Sequence, residues 1–136
     1  MDNETYKALA RARIERAKEL LDEAEELLVK EKYKSANNRA FYSIEKSIKA
    51  LLSIKCVDAD SHNGCLRQFN VHYIKTSEAG FVAGDYKKIA SAQRIRNNSD
   101  YDDFYIADKD ECCEQVQTAR EVYEKAKQFL KTGTGK

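Results

Sequence analysis

Between Arg94 and Asp103 the chain reads Arg-Ile-Arg-Asn-Asn-Ser-Asp-Tyr-Asp-Asp, a run rich in side chains that bind or react. Arginine presents a planar fork of donors that matches a phosphate group, and asparagine and serine add hydrogen bonds around it. Arg94, Arg96, Asn97 and Ser99 are therefore candidate ligand-binding residues for a phosphate or nucleotide, in a pocket that is complete or finished by a second subunit. The same residues also suit a helix C-terminus, where cations are favourable and a polar loop follows. The groups here able to move a proton are Asp100 and Tyr101. Their ordinary pKa values, about 4 and about 10, lie far from neutrality, so the segment favours binding over turnover. The two histidines are His62 and His72, and His62 is the catalytic alternative if the fold carries it to the same cleft.

Other chemistries find little support. There is no glycine-rich phosphate loop, no nucleophile elbow and no paired-histidine zinc helix. Cys112 and Cys113 are adjacent, so on a helix they point about 100° apart and make a poor chelating pair. Cys56, His62, Cys65 and His72 cluster in sequence, but their spacing matches no familiar zinc turn, and ordinary thiols are the expectation. No metal or cofactor is expected.

The elements that must position these residues are helices. Residues 3–32 carry Leu9, Ile14, Ala17, Leu20, Leu21, Ala24, Leu27 and Leu28 at spacings of three and four, one apolar stripe on a helix. Residues 33–55 repeat the pattern with Ala36, Ala40, Phe41, Ile44, Ile48, Leu51 and Leu52. Ser61 is an N-cap candidate for a third helix over 62–75, with Leu66, Phe69, Tyr73 and Ile74 inward. Asp85 opens a fourth to about Asn98, and Asp108 a fifth to about Lys131. Arg96, near the end of the fourth helix, reads as a surface residue whose loss hardly alters stability. Tyr42, Tyr101, Phe104 and Tyr105 stand on polar stretches, as interface aromatics do.

These helices imply a single all-α domain, an antiparallel bundle over residues 1–131 with a flexible tail at 132–136. Composition agrees. Prolines number zero and glycines five. Twenty-four Lys and Arg nearly balance 23 Asp and Glu, which excludes a uniformly basic nucleic-acid-coating protein. No apolar run approaches membrane-spanning length, and the four cysteines suit the reduced state of a cytoplasm.

Three segments, in order and spacing, resemble a HEPN domain over roughly residues 7–130. The first is Arg39-Ala40-Phe41-Tyr42-Ser43 with Lys46 and Ala50-Leu51-Leu52. The second is Ser61-His62-Asn63-Gly64 with Phe69 and Tyr73-Ile74-Lys75-Thr76, and the third is Arg96-Asn97-Asn98-Ser99-Asp100-Tyr101. The resemblance implies a bundle that forms a homodimer with its motif along the dimer cleft. It implies either a metal-independent ribonuclease or a nucleotide- or RNA-binding partner of a small nucleotidyltransferase, as in a toxin–antitoxin pair. The ribonuclease motif of the family places a histidine shortly after its arginine. Here Tyr101 stands in that place, preceded by Asp100, as in a branch of the family that carries Asp-Tyr. The leading expectation is thus a dimeric binding or regulatory subunit. A ribonuclease with a substituted base and a helical interaction module without a nucleotide site are the alternatives.

Overall fold

A computed structural model describes residues 2–133, and they form an all-helical bundle. Helix α1 spans Asn3–Val29, α2 Tyr33–Ile54, α3 His62–Phe69, α4 Ala83–Tyr101 and α5 Lys109–Gly133. No strand occurs among the described residues. Helix α5 runs two residues into the segment expected as a tail, and residues 134–136 lie outside the described residues.

The stripes read from the sequence form the core. Ala17, Leu21 and Ala24 of α1 are fully buried against α2, as are Ala119 and Ala126 of α5. Helix α2 is the axle of the bundle and packs against α1, α3, α4 and α5. It is buried on more than one face, and small residues make this feasible. Ala36, Ala40, Ser43, Ser47 and Ala50 let neighbouring backbones approach, and the Ser43 hydroxyl donates to the Ala17 carbonyl (2.8 Å). At one end an aromatic group of Phe69, Tyr73, Phe81 and Phe129 closes the core, with ring centroids 4.9–6.5 Å apart. The Tyr73 hydroxyl donates to the Leu51 carbonyl, and burial pushes its pKa up.

Two starts behave as expected. Ser61 Oγ accepts from Gly64 N (2.9 Å), and Asp108 Oδ2 accepts from Glu111 N (3.1 Å). Two details differ. The third helix is not α-helical to Lys75. It passes into a π-helical turn over Asn70–Ile74, closed by Lys75 N donating to the Asn70 carbonyl (2.9 Å). The wider turn brings Ile74 round toward the face that Phe69 and Tyr73 occupy, so all three are buried. Asp85 lies inside the fourth helix, with its carboxylate accepting from Val82 N (2.9 Å) and pairing with Lys125 (3.0 Å).

Helix α4 leans on α2 and barely touches α5. Between α4 and α5 lies an open groove of about 730 Å³, lined by Lys87, Ser91, Gln115, Thr118 and Glu121 among others.

The α1–α2 reversal contains no glycine, yet it is well defined. Lys32 N donates to the Leu27 carbonyl and Glu31 N to the Leu28 carbonyl, a Schellman ending with Glu31 left-handed at φ 61°. That conformation costs a non-glycine residue about 1 kcal/mol. Glu31→Gly should therefore raise the melting temperature by roughly 3 °C, measured by circular dichroism. A decrease would show that the turn is not strained.

Candidate functional site

The site forms where the end of α4 crosses the first half of α2. Arg96 is 6% exposed, which corrects the surface reading of this residue. Its guanidinium lies 5.0–5.8 Å from the ring centres of Phe41, Tyr42 and Tyr101. One terminal nitrogen donates to the Tyr42 hydroxyl and the other to Asn97 Oδ1 (2.9 Å). Nε lies 3.1 Å from Asp100 Oδ2, close enough for an ion pair but without hydrogen-bond alignment. Burial lowers the Arg96 pKa, yet the Tyr42 hydrogen bond and the electrostatics of Tyr42, Tyr101 and Asp100 more than offset it. The group remains a cation inside the protein.

Helix α2 holds the far side. Asn38 Nδ2 donates to Asp100 (2.9 Å), Asn37 Nδ2 to Ser99 Oγ (3.2 Å), and Arg39 Nη1 to Asn38 Oδ1 (2.6 Å). Beside Asp100 opens a polar hollow of about 280 Å³, lined by Lys34, Ser35, Asn38, Arg39, Ser99 and Asp100. Beyond the aromatic wall stands His62. Its ring meets Phe41 at 5.4 Å and Tyr42 at 6.3 Å, both edge-on, and its Nδ1 is hydrogen-bonded to the buried Glu45 carboxylate.

The fold thus brings together Arg96, Asn97, Ser99, Asp100, Tyr101 and His62 around Phe41 and Tyr42. Arg94 does not join them. Two residues before Arg96 is about 200° around the helix, and Arg94 is exposed, with its charge beside Tyr105. His72 lies in the π-helical turn that follows α3, where its carbonyl accepts from Lys55 Nζ (2.7 Å). The aromatics divide. Tyr42 is half-buried inside the cluster, and Tyr105 is half-buried and donates to Glu111. Tyr101 and Phe104 are exposed, together with Ile106.

Sequence reasoning missed Glu45 and Asn38. Glu45 had a signal. It follows Phe41 by four residues and precedes Ile48 by three, so it carries a charge on the buried stripe of α2. Asn38 is one of several polar residues at the start of α2 and had none.

A HEPN domain model matches residues 10–129 of the chain. The chain belongs to the HEPN family. Among relatives, it is 31% identical over 125 residues to a Methanocaldococcus jannaschii protein named "Putative toxin MJ0142", covering 92% of this chain and 84% of that one. A second protein of that organism, named "Putative toxin MJ0605", is 30% identical over 73% of this chain and 72% of its own. A Thermotoga maritima UPF0332 protein is 37% identical over 52% of this chain and 54% of its own. This HEPN bundle contains, among its described residues, no group of three or more His, Cys, Asp or Glu placed to hold a metal. Among the described residues, no helix is long and apolar enough to cross a membrane.

Two measurements check the arrangement. Arg96→Ala leaves Asp100 and the Tyr42 hydroxyl without their cation, and should cost about 2 kcal/mol, a fall of roughly 8 °C in melting temperature. A change under about 1 °C would return Arg96 to the surface. The thiols should also divide. Burial pushes Cys65 up to about 12 and Cys112 up to about 11, whereas Cys56 and Cys113 are exposed. Ellman's reagent at pH 8 should titrate the two exposed thiols in the native protein and all four after unfolding. Four fast thiols in the native protein would contradict this packing.

Proposed function

We propose that this HEPN protein is a toxin–antitoxin-like subunit that binds single-stranded RNA as a homodimer, in the cleft beside Arg96. The supporting observation is the Arg96 guanidinium itself. A buried cation is costly unless its partners compensate, and among the described residues the acid paired with Arg96 is Asp100, whose side chain is 25% exposed. A positive charge held under three rings, beside a polar hollow with Lys34 and Arg39, suits a phosphate and a stacked base. Ser99 and Asn97 supply further polar contacts at the rim. Arg94, on the opposite face of α4, is free to meet phosphate only outside this cleft.

Dimerisation is supported by the loop after α4. Tyr101, whose ring meets Arg96, and Phe104 and Ile106, which follow it in the chain, are 74%, 94% and 88% exposed. A two-fold contact over them would bury roughly 1,600 Å² and bring two clefts together. The partner proposed is a small nucleotidyltransferase, as the family resemblance implies, and the compartment is the cytoplasm, where four free thiols stay reduced.

Light scattering at micromolar concentration should give twice 15.6 kDa, and Phe104→Asp should restore the monomer. A monomeric parent at all concentrations would end the dimer reading. Fluorescence anisotropy with a labelled single-stranded RNA tests the cleft. Arg96→Lys keeps the charge but loses the fork, and should weaken binding about tenfold. Equal affinity in parent and mutant would remove the RNA from this cleft.

A further inference from the structure

We infer that the slot between the start of α1 and the end of α5 seats an acidic amphipathic helix of a partner protein. One apolar side chain of that helix enters the slot, and its carboxylates meet a cationic rim. The inference goes beyond the RNA reading above and does not depend on it.

Helices α1 and α5 run antiparallel, with Arg120 of α5 paired to Glu25 near the end of α1. Where the last turns of α5 meet the first turns of α1, a slot of about 230 Å³ opens. Its floor is apolar. Ala10 and Leu130 are 2% and 8% exposed, and Ile14 is half-buried. Its rim is four cations, Lys7 and Arg11 on α1 and Lys127 and Lys131 on α5. Among the described residues no acid lines it. Lys7 pairs with Glu4 (3.7 Å) and Lys127 lies over the Tyr123 ring (5.9 Å). Arg11, Lys127 and Lys131 have no carboxylate partner among the described residues.

The same seam is balanced at its other end, where Arg120 meets Glu25 and Glu124 and Lys18 meets Asp22. The helix dipole favours Lys131 at the end of α5. Near the start of α1 it favours anions, so Lys7 and Arg11 gain nothing from it. Four like charges around one hollow repel one another, and an anionic ligand relieves that repulsion.

The shape selects the occupant. A volume of about 230 Å³ falls below the roughly 300–1,000 Å³ of small-molecule sites and suits one apolar side chain. The apolar floor is recessed, so nothing projects to enter a lipid bilayer. The lining side chains include no ring to stack on a base and no amide or hydroxyl to read its edge. A helix laid in the groove does match. Its side chains four residues apart lie about 6 Å apart along the axis, the spacing of Lys7 from Arg11 and of Lys127 from Lys131.

The slot is remote from the Arg96 cleft. Arg13, next to it on α1, donates to Ser53 near the end of α2 (2.6 Å), whereas Asn38 at the cleft lies near its start. The two levels are about 22 Å apart along α2, so one ligand does not block the other.

The probe is a helix-forming peptide of alanine and glutamate with one central leucine, glutamates standing four residues before and after it. It is titrated into the isotope-labelled full chain and followed by amide shifts. The expected result is saturable binding with shifts confined to residues 7–14 and 127–131. Replacing the leucine by alanine, or the glutamates by glutamine, should each weaken binding at least about tenfold. The double variant Arg11→Glu, Lys131→Glu changes two exposed positions and should melt cooperatively. It should bind the glutamate peptide at least about tenfold more weakly and gain affinity for a lysine version of it. No binding by the parent, or equal binding by parent and double variant, overturns the inference. So does undiminished binding of the peptide without leucine. Shifts of these residues with single-stranded RNA or phosphatidylglycerol vesicles, and none with the peptide, overturn it in favour of those ligands. A lower mass for the double variant than for the parent in light scattering overturns it too, because the slot then seats a second copy of this chain.

Discussion

A positive charge must be kept at the edge of a helical core, and the geometry around it follows from that need. Arg96 emerges from the last turns of α4 into α2, where water cannot solvate it well. The bundle answers with ring faces, a phenol hydroxyl, one amide and one half-exposed acid. Each answer fixes something else. Tyr42 must present its hydroxyl inward, which turns its ring toward His62. Asp100 must stay near Nε, and Asn38 holds it there. The register of α4 on α2 is thereby set by polar contacts as well as by Ile89, Ala92 and Ile95.

The fold was legible because periodicity reports burial. The stripes of α1 and α2 in the sequence are the buried faces in the structure, with Ala10 added to the first. The π-helical turn was not legible, since it trades one backbone pattern for another to bury Ile74, and that exchange depends on the facing helices. The Glu31 turn was hidden for the opposite reason. Its signature residue, glycine, is absent, and the backbone adopts the left-handed form regardless.

The site was half legible. Residue types singled out the segment from Arg96 to Tyr101, and it does gather at one place. Grouping Arg94 with Arg96 overlooked that a helix separates neighbours two apart. What sequence could not supply was depth. Nothing in an Arg-Asn-Asn-Ser string says that the arginine is inside and the asparagine after it outside. Nor could it pair His62 with Glu45, which are 17 residues apart and joined only through the crossing of α3 and α2.

The thin seam between α4 and α5 has a consequence for motion. Helices release as cooperative units, and the unit with the fewest neighbours opens first. Among the long helices α1, α2, α4 and α5 that unit is α4, which rests mainly on α2 and borders an open groove on the other side. It also carries Arg96, Ser99, Asp100 and Tyr101. Subglobal opening of α4 would therefore uncover the guanidinium to solvent while α1, α2 and α5 stay folded. Amide hydrogens along 83–101 would exchange ahead of the rest of the bundle, and a ligand that clamps Arg96 would slow them selectively.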